Sequence, residues 1–93
     1  MNQYKVKLYV VTFLFEGVDQ NSARAMTFAT KGDAMDFVNA EMDYYEDEYG
    51  KGEYETKQVY DNYAVLNYSD VFFTWDITED EVTVDESAVK RVE

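Results

Sequence analysis

The chain has no cysteine, no histidine and no proline among its 93 residues, and only eight lysines and arginines stand against twenty aspartates and glutamates. Without cysteine there is no disulfide framework and no thiolate nucleophile. Without histidine there is no imidazole base, and the loss of both excludes the ordinary zinc and copper sites. Ser22, Ser69 and Ser87 therefore have no imidazole to activate them, and no glycine-rich phosphate loop precedes a helix. A carboxylate pair acting as general acid and base is the one catalytic arrangement left open, and acid density alone is not specific for it. The expectation is a protein that is not an enzyme and uses no cofactor. Long apolar runs are missing as well. The opening "MNQYKVKLYVVTFLFEG" is interrupted by Lys5 and Lys7, is too short to span a bilayer, and precedes no small-residue cleavage site, so a cytoplasmic protein is expected.

What is present is apolar and acidic at once. Apolar residues make up 46% and aromatics 17%, too many for a disordered acidic tail, and the length suits one domain over residues 1–93. The net charge of −12 is unevenly placed: residues 1–32 carry two acids and four bases, residues 33–93 eighteen acids and four bases. Such a block costs stability through self-repulsion, and solubility alone does not require it.

The pattern predicts an α+β domain in which one amphipathic helix packs on an antiparallel sheet of about four to five strands. "YKVKLYVVTFLFE" alternates at first, with Tyr4, Val6, Leu8 and Val10 on one face, and becomes apolar on both faces from Val11 to Phe15, as in a strand covered on both sides. "GVDQNS" supplies a turn, and "ARAMTFAT" returns as the second arm of a hairpin. Residues 31–49 read as a helix, with Thr30 as N-cap, Gly50 as its stop, and Ala34, Val38, Met42, Tyr45 and Tyr49 on the stripe facing the sheet. Asp33, Asp36, Asp43 and Asp47 form a second, solvent-facing stripe. "EYETKQVY", "NYAVLNY" and "DVFFTWDIT" read as three more strands, with a short one over Val82 to Val84 and a fraying tail after Asp85.

The stretch "EMDYYEDEYGKGEYE", Glu41 to Glu55, holds seven carboxylates and four tyrosines with one lysine. It fits no EF-hand: counted from Asp43 the glycine position holds Glu48, and counted from Asp47 the ligand positions hold Tyr49 and Lys51, so no metal site is expected. A solvated helix end is the bland reading. It leaves unexplained why Glu46, Asp47 and Glu48 occupy the last turn, where the helix dipole favours cations. Imitation of a nucleic-acid backbone explains it. Duplex DNA carries one charge per about 1.7 Å of axis. Along a helix, Asp36, Asp43 and Asp47 rise about 10 Å and then about 6 Å, spacings comparable with phosphates along a strand. The candidate phosphate imitators are Asp36, Asp43, Glu46, Asp47, Glu48, Glu53 and Glu55, with Asp76, Glu79, Asp80 and Glu81 as a second patch. Phe37 and Tyr44 lie beside the acidic stripe and either cover an edge of the core or meet a second subunit.

The opening fifty residues, "MNQYKVKLYVVTFLFEGVDQNSARAMTFATKGDAMDFVNAEMDYYEDEYG", together with the size and the acidic composition, resemble the Arn antirestriction proteins of T-even phages. The resemblance implies a DNA mimic that inhibits the host's modification-dependent restriction nuclease McrBC in the host cytoplasm. It also implies a homodimer, an interaction with the nucleoid protein H-NS, and no catalytic residues. The alternative is an acidic adaptor that docks on a basic protein without resembling DNA.

Overall fold

In the computed structural model, which describes residues 3–85, the chain forms one five-stranded antiparallel sheet and one helix. The strands are β1 (Gln3–Glu16), β2 (Asn21–Phe28), β3 (Thr56–Val59), β4 (Tyr63–Asn67) and β5 (Phe72–Asp85), in the spatial order β2-β1-β5-β4-β3; helix α1 (Lys31–Tyr49) follows β2. The two 14-residue strands, β1 and β5, pair along their whole length, from Gln3 opposite Asp85 to Glu16 opposite Phe72. β2 reaches only to Tyr9 and β4 only to Asp76, so the far half of β1 and β5 projects as a two-stranded ribbon. The molecule is accordingly long, 55 × 26 × 20 Å.

The core lies between α1 and one face of the sheet. Val11 and Phe13 of β1, Phe73, Trp75 and Ile77 of β5, and Ala64 and Leu66 of β4 meet Ala34, Val38 and Met42 of the helix. Register explains the selection, since Phe13 stands opposite Trp75 and Phe15 opposite Phe73 and opposed residues share a face. Aromatic rings fill the centre, with Tyr45 stacked on Phe73 at 4.4 Å and on Phe13 at 5.5 Å.

The helix ends as its sequence dictates. The Thr30 hydroxyl accepts the Asp33 N–H at 3.1 Å. At the other end Gly50 takes φ 122° and donates its N–H to the Glu46 carbonyl, a backbone angle that side-chain-bearing residues rarely adopt. A Cβ there would also meet Glu53 Oε2 at 3.0 Å.

Three sequence-based expectations change. Only one face of β1 is covered by the helix, so Thr12 and Leu14 point away from it and remain exposed. β2 begins at Asn21, because the turn takes only residues 17–20. The short strand over Val82 to Val84 is the end of β5, which runs unbroken from Phe72 because Lys5 to Val10 of β1 offer it partners. The tail after Asp85 lies outside the described residues. Phe37 packs against Phe28, the rings tilted with centres 5.1 Å apart, and so covers the core edge at β2, whereas Tyr44 is 58% exposed.

Candidate functional site

The buried stripe of α1 runs Ala34, Val38, Met42 and then Glu46, because steps of four residues keep to one face. Glu46 is therefore 5% exposed, in the core layer where a bare carboxylate is strongly unfavourable. Lys57 of β3 resolves this by donating an ammonium hydrogen bond to Glu46 Oε2. The same ammonium lies 5.8 Å from the centre of the Tyr54 ring. The bond holds Lys57 protonated above the ordinary lysine value. Glu46 is thus corrected from a surface phosphate imitator to a buried anchor between α1 and β3.

Glu41, one turn earlier, is a second anchor that sequence reasoning missed. One oxygen accepts the Trp75 indole N–H at 3.1 Å and the other accepts Arg24 Nη2 at 2.6 Å. The Arg24 guanidinium also sits 4.8 Å over the Phe13 ring, and its pKa is raised by the hydrogen bond to Glu41. Glu41 therefore joins α1 to β2 and β5 together. Neither anchor shows as such in the sequence, because Lys57 is eleven residues from Glu46 and Arg24 seventeen from Glu41.

With two of the seven carboxylates of Glu41 to Glu55 absorbed, five remain at the surface. Asp43, Asp47, Glu48, Glu53 and Glu55 are exposed, and none of them forms an ion pair among the described residues. Asp36 is exposed on the same side of the helix as Asp43 and Asp47. The structure brings Glu53 and Glu55 together with Asp70, from the β4–β5 turn, around a groove of about 270 Å³ walled by Tyr49, Tyr68 and Val71. Asp70 is not among the candidate acids read from the sequence, and the β4–β5 turn brings it to the groove. The Tyr68 hydroxyl donates to the Gly50 carbonyl at 2.9 Å and pins this groove to the helix end, and burial raises the Tyr68 pKa.

The second acidic patch is not one surface. Strand alternation puts Asp76 and Asp80, opposite Thr12 and Leu8, on the face away from the helix, and Glu79 and Glu81, opposite Tyr9 and Lys7, on the helix side. Lys7 Nζ stands 3.7 Å from Glu79. Among the described residues, only the helix and its C-terminal groove form a continuous acidic surface.

Among the described residues no group of three or more acidic side chains is arranged to hold a metal ion, and no helix is long and apolar enough to cross a membrane. The unpaired acids give a direct test of the electrostatics. Raising sodium chloride from about 10 mM to about 300 mM shortens the screening length from roughly 30 Å to below 8 Å and should raise the melting temperature. An unchanged melting temperature would mean that repulsion among these acids costs the fold nothing. No protein family, curated protein or solved structure matches this chain.

Proposed function

We propose that this protein is a DNA mimic that inhibits a DNA-binding enzyme of the host by occupying its DNA-binding surface. The nuclease named by the resemblance, McrBC, is the target proposed first. The observation that carries this reading is the row Asp36, Asp43 and Asp47, exposed and unpaired on a helix that Glu41 and Glu46 fasten to the sheet. A fastened helix holds its carboxylates at fixed intervals, so a surface of lysine and arginine evolved for phosphates meets charge without first having to order it. Glu48, Glu53, Glu55 and Asp70 continue the negative surface past the helix end. In this reading the protein works in the host cytoplasm as a homodimer, has no catalytic role, and competes for DNA-binding surfaces generally, that of H-NS included.

The test uses purified McrBC and a plasmid with modified cytosine. Cleavage should stop as the chain is titrated in, and the chain alone should leave labelled duplex unshifted in a low-salt gel, because residues 33–93 repel phosphate. A tight complex between the chain and duplex DNA would overturn the proposal.

A further inference from the structure

We propose that the groove at the C-terminal end of α1 is a pocket for a single arginine side chain of the protein on which this chain docks. The inference rests on the mimicry proposed above for its partner, and it adds an aromatic contact that a phosphate backbone does not offer. The groove holds about 270 Å³, just under the roughly 300 Å³ at which pockets for whole small molecules begin, so it suits one side chain. Tyr49, Tyr68 and Val71 supply its wall, and Glu53, Glu55 and Asp70 its carboxylates. The Tyr49 and Tyr68 rings have centres 5.8 Å apart and are inclined by 37°, already in contact, so a guest lies against them rather than between them. Tyr68 is 7% exposed and Tyr49 43%, so Tyr49 offers the open ring.

The frame is set before any guest arrives. The Gly50 carbonyl accepts both the Tyr68 hydroxyl at 2.9 Å and the Glu53 N–H at 3.2 Å. Glu55 donates its N–H to the Asn67 carbonyl at 2.7 Å, and Tyr68 donates its N–H to the Val71 carbonyl at 2.8 Å across the turn that carries Asp70. None of the three carboxylates forms an ion pair among the described residues. The chain's own neighbouring cations leave them free: Lys51 pairs with none of them, and Lys57 is bound to Glu46.

The fold itself shows what such a frame holds. Arg24 lies 4.8 Å over the Phe13 ring while its Nη2 donates to Glu41 at 2.6 Å. Lys57 lies 5.8 Å from the centre of the Tyr54 ring and is bonded to Glu46. Each of these cations combines a carboxylate with an aromatic ring, and the groove repeats that combination on a surface open to a cation from outside. Arginine suits it better than lysine. A guanidinium is planar and weakly hydrated, so it can lie on the Tyr49 ring and still donate in its plane to carboxylates, whereas an ammonium in an open groove keeps its water. Arginines seated in pockets are also among the residues that carry most of the binding energy at protein interfaces.

NMR titration of the isotope-labelled chain with N-acetyl-arginine amide, at an ionic strength held at about 150 mM, tests this without any nuclease. The pocket and the inhibition can therefore fail separately: a localised arginine site in a chain that leaves McrBC active counts against the mimicry alone. The amide signals of Tyr49, Glu53, Glu55 and Tyr68 to Val71 should shift and saturate in the millimolar range. The matching lysine amide should bind at least about threefold more weakly. Tyr49→Leu should weaken arginine binding about fivefold, and Glu53→Gln with Glu55→Gln by a similar factor. Asp43→Asn with Asp47→Asn, on the helix row outside the groove, should leave it unchanged. If Tyr49→Leu fails to fold, the glutamine pair decides, because both of its side chains are exposed. No saturating shift, shifts spread evenly over Asp36, Asp43 and Asp47, equal affinity for the two amides, or affinity unchanged in the folded groove variants would each overturn the proposal.

Discussion

Replacing Asp43 and Asp47 together by asparagine should weaken binding to the target by about 30-fold, with a parallel loss of inhibition. Each lost contact to a lysine or arginine is worth on the order of 1 kcal/mol, and two such losses multiply to that factor. Both side chains are exposed and unpaired, and asparagine keeps their size and polarity, so the fold should survive. The salt dependence is the more specific readout. If the two carboxylates stand where phosphates stand, the logarithmic slope of affinity against salt should become shallower by about two. Asp19→Asn, in the hairpin turn of the weakly basic third, should change neither quantity. Titration of the binding constant at four or five salt concentrations for the three proteins checks both. A double variant with the parent's affinity and slope would reduce the acidic row to a solvated surface.

The largest effect on stability should come from Lys57→Met, which leaves the Glu46 carboxylate buried with no partner. Removing one member of a buried pair costs about 3 kcal/mol or more, because the remaining charge keeps its desolvation penalty. Lys57 is itself 30% exposed at its side chain, which places the expected loss at the lower end of that range. The melting temperature should fall by about 15 °C for a domain of this size. The double variant Glu46→Leu with Lys57→Met should recover most of the loss, since apolar replacements of buried pairs are often neutral or stabilising. That comparison separates an uncompensated charge from lost packing. Linkage supplies a further signature. The folded pKa of Lys57 is raised, so its contribution is whole below the unfolded lysine value of about 10.4 and is lost as pH rises through the folded value. An alkaline melting series should show that decline in the parent. The Tyr68 hydroxyl, with its pKa raised by burial, adds a decline of the same sign, so Lys57→Met should flatten the curve only in part.

Much of this architecture is legible in the sequence because period and punctuation agree. The β-branched run of β1, the Thr30 cap and the Gly50 stop each have one good local explanation, and the structure uses it. The site is less legible because its decisive contacts are distant in sequence. At the end of the helix stripe, Tyr45 and Glu46 lie 100° apart, either side of the line through Ala34, Val38 and Met42. Hydrophobicity favours the tyrosine, and only Lys57 arriving on β3 makes the glutamate acceptable inside. Glu41 is hidden in the same way behind Arg24 and Trp75. In β5 the acids of "TEDE" imitate a turn, whereas the ribbon continues because Lys7 and Leu8 stand opposite Glu81 and Asp80. The outward acids of the helix needed no distant partner, and they are where helical spacing puts them.

The anchors also change what the acid-tyrosine stretch means. Two of its seven carboxylates hold the helix in place, and the other five are left free at the surface. Under the proposed mimicry, that fastening keeps the free carboxylates at fixed intervals for the partner's surface.

Competition tests that claim most directly. Bind fluorescently labelled chain to purified McrBC at constant ionic strength and add unlabelled duplex carrying the recognised modification. DNA mimicry predicts that the apparent dissociation constant rises in proportion to duplex concentration once that exceeds the duplex's own dissociation constant, with no ternary complex at saturation. An apparent constant that stays flat, or a stable complex of chain, nuclease and duplex, would contradict it and leave an acidic protein that docks elsewhere.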